Sequence, residues 1–188
     1  NFAAVPGAMG KCLAMNILKY PHPCLKKRCR QVKTIDPALV ERVAEMFDTM
    51  YKARGVGLAA AQVGWDARLF ITNVSGDDEM VFINPRILES TGTVNEEEGC
   101  LSVPGVNACV PRAERVRVQA FDIEGSVFEL EADGLLAIVI QHENDHLDGK
   151  LFITKLTRAG KAAIANKLKD LEEKFEAAPP DIPAQCPM

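Results

Sequence analysis

Residues 134–150 read GLLAIVIQHENDHLDGK: six apolar residues, Leu135 to Ile140, lead into His142, Glu143 and His146. Asp133-Gly134 opens the segment and Gly149 supplies a C-terminal glycine cap. The spacing therefore predicts one helix whose first two turns are apolar all round and buried. Side chains four apart on a helix lie one above the other, so His142 and His146 can offer two imidazoles to one metal, while Glu143 projects about 100° away beside it. A metal with a carboxylate next to its water is a hydrolytic arrangement. The alternative is a pair of core histidines satisfied by hydrogen bonds, because a buried polar group left without one costs roughly 1–3 kcal/mol.

The flanks decide what this helix is packed against. Upstream, RLFITNV (68–74), MVFINPRIL (80–88), RVRVQAFD (115–122) and SVFELEAD (126–133) are short, rich in β-branched and aromatic residues, and divided by Gly, Asp and Asn turn signals. They predict strands in antiparallel sheets. Asp36-Pro37 begins an amphipathic helix with Leu39, Val43, Met46, Phe47 and Met50 on one face, closing near Gly55. A last helix is expected from Thr157 to about Ala177, with Ile164, Leu168, Leu171 and Phe175 at helical spacing. The class is α+β: antiparallel β-sheets around a central metal-binding helix, with an N-terminal and a C-terminal helix. At 188 residues one domain is expected, spanning 15–177, between a flexible arm or expression remnant over 1–14 and a disordered tail over 178–188.

Two histidines seldom hold a catalytic metal alone, so a third ligand is expected at a turn or strand end. Cys100 in EEEGCLSVPG qualifies: Gly99 before it permits close backbone approach and a Val-Pro-Gly turn follows. One thiolate and two imidazoles leave a fourth position open, as catalytic centres require. The only other histidine, His22 in YPHPCL, reads as a surface loop residue. In GVGLAAAQVG (55–64) the small residues let a substrate approach the backbone, and the Gln62 amide can donate to an oxyanion. By itself that run is equally consistent with tight packing at a turn.

Composition narrows the partners. A net charge of −4 argues against a broad grip on free nucleic acid or anionic lipid. The longest apolar runs fall far short of the ~20 residues a membrane span needs. Six cysteines in a chain with core enough to do without staples favour a reducing cytosol.

Together and in this order, GVGLAAAQ, EGCLS and QHENDH resemble the three signature motifs of the peptide deformylases, and VPRAE, ADGLLA and DHLDGKLF extend the match from about Met15 to Leu156. The resemblance implies a metal-dependent hydrolase that removes the formyl group from the N-terminal formyl-methionine of nascent chains. It implies Cys100, His142 and His146 as ligands of one divalent ion, ferrous iron, with zinc, nickel or cobalt also accommodated by such a donor set. Glu143 would take the proton of the attacking water and pass it to the departing amine, while Gln62 and the Leu101 backbone N–H hold the oxyanion. Backbone groups at Gly57 and Gly99 would pair with the peptide, and Val56, Leu135, Ile138 and Val139 would line the methionine pocket. Glu98 and Arg112 match positions of a buried ion pair behind the metal. Asn107, where some relatives have arginine, and Glu96, where an aliphatic residue often borders the methionine pocket, depart from the pattern and bear on substrate preference. The implied partners are formyl-methionyl nascent peptides, with docking at the ribosome conceivable through the last helix. The implied setting is a monomer in the bacterial cytoplasm, with an organelle matrix as the alternative.

Two other readings compete. A zinc peptidase would use the same histidines and Glu143 with Glu172 or Glu173 as a distant third ligand. A non-catalytic metal-stabilised binding module would leave Glu143 incidental.

Overall fold

The Asp36 side chain accepts a hydrogen bond from Leu39 N, and with Pro37 in the first turn it starts helix α1, Pro37–Lys52. The computed structural model to which this helix belongs describes residues 15–178, so the expectations for 1–14 and for all but the first residue of 178–188 lie outside it. Strands β1 (Gly57–Ala59), β2 (Leu69–Thr72), β3 (Met80–Thr91), β4 (Val94–Cys100), β5 (Val103–Arg112), β6 (Arg115–Phe121) and β7 (Val127–Asp133) follow. Helices α2 (Gly134–Leu147) and α3 (Arg158–Ala177) complete the described chain. The class is α+β, and all strand pairs are antiparallel. One sheet has the order β1-β2-β3-β6-β7; the other is the β4–β5 hairpin alone.

Helix α2 lies between these units. Its Ala137, Ile140 and Leu147 pack on Phe70, Phe82, Val116, Val118, Ala120 and Ala132 of the five-stranded sheet. Helix α1 buries the face foreseen for it, Leu39, Val43, Met46, Phe47 and Met50, against Leu58, Leu69, Ile71 and Ile83. Under α3, Ile164 joins Val103, Val106 and Val110 of β5 and the segment Leu151–Leu156. Gly149, just past the end of α2, has φ +69°, the left-handed geometry that a glycine cap supplies.

Several expectations require correction. The hairpin β4–β5 was not foreseen as strands: β4 is glutamate-rich, with Glu98 its one buried residue, and Pro104, Gly105 and Pro111 interrupt β5, so neither shows clean apolar alternation. His22 is fully buried, with its Nδ1 accepting from Cys24 N and its ring edge-on to Phe175. Cys24 is disulfide-bonded, against the expectation of reduced thiols, while Cys29, Cys100 and Cys109 are free. The first turn of α2 is not buried throughout, because Leu135 is 54% exposed. Among the described residues no helix is long and apolar enough to cross a membrane.

Candidate active site

Because His142 and His146 are one turn apart on a buried helix, their rings stand 5.0 Å apart, centroid to centroid. Cys100 arrives at the end of β4, where a register shift between Gly99 and Cys100 breaks the regular hairpin pairing. Its Sγ lies 3.2 Å from His146 Nε2. The ligand atoms of Cys100, His142 and His146 all fall within 4.8 Å of one another, close enough to share one ion. A soft sulfur with two imidazoles suits a first-row transition metal. His142 Nδ1 is engaged 2.8 Å from Glu98 Oε2, which leaves its other nitrogen for the cluster, an arrangement usual behind metal-ligating histidines. The residues present fit a cation.

The carboxylate behind His142 is tied in turn. Arg112 grips Glu98 with two N–H groups, Nε to Oε1 at 2.6 Å and Nη2 to Oε2 at 2.9 Å, and donates to Asp145 Oδ2 through Nη1 at 2.5 Å. Lys155 Nζ reaches the same Asp145 oxygen at 2.9 Å. Burial works to raise the Glu98 pKa, but the bonds from Arg112 and His142 outweigh it and hold the carboxyl below its ordinary value. Sequence reasoning named Glu98 and Arg112 but missed Asp145 and Lys155. The available signal was an aspartate within a helix otherwise destined for the core, which demands a cation partner.

Glu143 is only 4% exposed, and burial pushes its pKa up to about 7, with the neighbouring His142 opposing the shift. Its Oε2 has no hydrogen-bond partner among the described residues. A β-carbon added at Gly57 would stand 2.6 Å from Glu143 Oε1, so glycine is what allows β1 to pass this close to the carboxylate. Gln62 is held by its own oxygen, which accepts from Ala59 N at 2.8 Å; this turns the amide nitrogen toward Ser102 Oγ at 3.3 Å and Cys100 Sγ at 3.6 Å. Ser102, buried and also missed from the sequence, donates its N–H toward Cys100 Sγ at 3.4 Å.

Part of this site opens on a cavity of about 780 Å³. Val56, Gly57, Gln62, Gly99, Cys100, Leu101, Leu135, Ile138, Val139, His142 and Glu143 contribute to its wall. The exposure of Leu135 is that of a cleft residue, with the buried Ile138 and Val139 below it. Neither Glu172 nor Glu173 joins the cluster: Glu172 bonds the Tyr20 hydroxyl and Glu173 pairs with Lys169.

The family model of polypeptide deformylases matches residues 14–162. The chain belongs to the polypeptide deformylase family. It is 50% identical over 161 residues to the peptide deformylase of Chromobacterium violaceum, covering 85% of this chain and 96% of that relative. It is 47% identical over 157 residues to that of Neisseria gonorrhoeae, covering 82% and 94%. Among solved structures, a Legionella pneumophila peptide deformylase superposes with TM-score 0.80 at 43% identity over 88% of this chain and 99% of that one. A Plasmodium falciparum peptide deformylase superposes with TM-score 0.84 at 36% identity over 88% and 100%. The family match ends inside α3, at residue 162, so most of that helix lies beyond it.

Proposed function

We propose that the cleft removes the formyl group from the N-terminal formyl-methionine of new polypeptides, with each site residue in the role that its position suits. The observation carrying this reading is the buried Glu143 Oε2, without a hydrogen-bond partner among the described residues, in the wall of a cavity also lined by Cys100 and His142 of the Cys100–His142–His146 cluster. Cys100, His142 and His146 would hold a divalent cation, which when bound would supply Lewis acidity and lower the pKa of water. Ferrous iron is the cation we favour, with zinc, nickel and cobalt able to replace it in the same donor set.

Glu143 accepts a proton from the attacking water and returns it to the amide nitrogen as the C–N bond breaks. Water and formamide are thereby converted to formate and a free amine. The Gln62 amide and the Leu101 N–H donate to the oxyanion while Glu98, clamped by Arg112, fixes the orientation of His142. Val56, Leu135, Ile138 and Val139 receive the methionine side chain, and Gly57 and Gly99 present backbone groups to the peptide.

We take residues 15–177 as the catalytic domain, acting as a monomer on chains emerging from the ribosome in a bacterial cytoplasm; the negative net charge makes a stable hold on free nucleic acid unfavourable. Formate release from a short formyl-methionyl peptide, compared between iron- or nickel-loaded and chelated protein, tests the reading. Release only from loaded protein is expected. Cleavage of internal peptide bonds without formate would return the peptidase alternative.

A further inference from the structure

The two donors assigned to the oxyanion come from different parts of the chain. Gln62 belongs to the short 3-10 turn Ala60–Val63 after β1, and Leu101 lies between β4 and β5. Three consecutive residues ahead of α1 are bonded to both places. Leu18 N donates to Gln62 O at 2.7 Å, and Tyr20 N donates to Ser102 O at 2.8 Å. Between them, the Lys19 ammonium donates to Leu101 O at 2.6 Å. Gln62 Nε2, which donates to Ser102 Oγ at 3.3 Å, links the two places directly.

The segment is itself anchored. Leu18 is buried in the core under α3, and the Tyr20 hydroxyl bonds Glu172 of α3. Lys19 is different in kind, because its side chain is exposed and on the wall of the active-site cavity. An exposed lysine ordinarily keeps its head in water and its stem free to rotate. Here the head is committed to a backbone carbonyl one residue from Cys100.

The carbonyl that Lys19 holds belongs to the planar Leu101–Ser102 peptide unit. The N–H of that same unit is Ser102 N, directed at Cys100 Sγ at 3.4 Å. A charge-assisted bond to the carbonyl is stronger than a neutral one, and it polarises the unit so that its N–H donates better. With the carbonyls of Leu101 and Ser102 both held, the turn that presents the Leu101 N–H has little freedom to rotate.

Resting on the deformylase reading, we propose that Lys19 is a positioning residue for that reaction: through the Leu101–Ser102 peptide it fixes the Leu101 N–H as an oxyanion donor beside the Gln62 amide. Lys19 acts on the turn and not on the substrate, so its loss slows the chemical step and leaves peptide binding alone. Misplacing a reacting group by about 1 Å can cost about 10²-fold in rate. The backbone bonds from Leu18 and Tyr20 survive the loss of the lysine, which limits the displacement.

The test is steady-state formate release from a short formyl-methionyl peptide with metal-loaded wild type, Lys19→Met, Lys19→Arg and Lys52→Met. Metal content and chemical unfolding are followed for each. Lys19→Met is expected to lower kcat about tenfold with KM within about twofold of wild type, short of the about 10²–10³ for loss of a donor itself. Its metal content and unfolding transition should match those of the wild type. Lys19→Arg, which can donate to the same carbonyl, should keep at least about half of kcat. Lys52→Met, which removes an exposed cation at the end of α1, should match the wild type throughout.

A rise in KM alone in Lys19→Met would overturn the proposal and make Lys19 a substrate contact. Loss of the cation, or a Lys19→Arg as slow as Lys19→Met, would overturn it as well. An equal fall in Lys52→Met would do the same, by tracing the effect to charge and not to the bond at Leu101. If the wild type yields no formate, the deformylase reading falls and this inference with it; if the wild type yields formate and Lys19→Met matches its kcat, only this inference falls.

Discussion

The two walls of the cleft are built on opposite terms. On α2 the polar groups His142, Glu143, Asp145 and His146 are all buried, and His142 and Asp145 are each held by a named partner, Glu98 and Arg112. On the β4–β5 hairpin most polar side chains face water, and two buried charges paired with each other, Glu98 and Arg112, tie the hairpin to α2 through His142 and Asp145. Burial makes electrostatics strong and geometry rigid; exposure makes both weak and adjustable. In the proposed mechanism the difference separates the work: the buried helix wall, with Cys100 from the end of β4, carries the reaction, and the exposed side chains of the hairpin face the solvent.

The comparison breaks first at its link. Arg112→Met leaves Glu98 buried without its cation and Asp145 with Lys155 alone, and loss of a partner in such a buried pair costs about 3–5 kcal/mol. Chemical denaturation should show a loss of that order, and His142, deprived of a fixed Glu98, should lose metal affinity by about 10–100-fold. A fully stable variant would mean that the hairpin is anchored by packing alone.

Next in size is Gln62→Leu. The amide is oriented by Ala59 N–H, and removing a preorganised oxyanion donor typically lowers kcat by about 10²–10³. Steady-state formate release should show that fall with metal content unchanged. A change confined to KM would reassign Gln62 to substrate binding.

Smallest is Lys155→Met. Lys155 touches the same Asp145 oxygen as Arg112 but from a side chain 36% exposed, so its removal should cost under about 1 kcal/mol. A thermal shift of only a few degrees is expected. A loss as large as that of Arg112→Met would erase the distinction between buried and exposed members of the network.

The contrast also governs what could be read without coordinates. The helix wall was legible because its chemistry is periodic: two histidines one turn apart after an apolar run admit few readings, and α1 was legible for the same reason. The strands of the larger sheet showed in their β-branched runs. The hairpin was not legible as strands, since a glutamate-rich edge segment and a proline-broken partner carry no alternation. Yet Cys100 at its end was found by asking where a third ligand could lie. Asp145 was in plain view within QHENDH but was passed over, because its role depends on Arg112, 33 positions away in the chain. His22 misled in the opposite sense: flanking prolines suggested a surface loop, whereas packing against Phe175 of α3 buries it.

The most direct measurement sets metal content beside formate release for wild type and Glu143→Ala. The account expects one cation per chain in both, a cooperative unfolding transition in both, and formate release lower in the variant by about 10²–10⁴. A variant that keeps both its cation and its activity would contradict the assignment of Glu143 as the proton carrier, and a folded wild type that binds no cation would contradict the Cys100–His142–His146 centre itself.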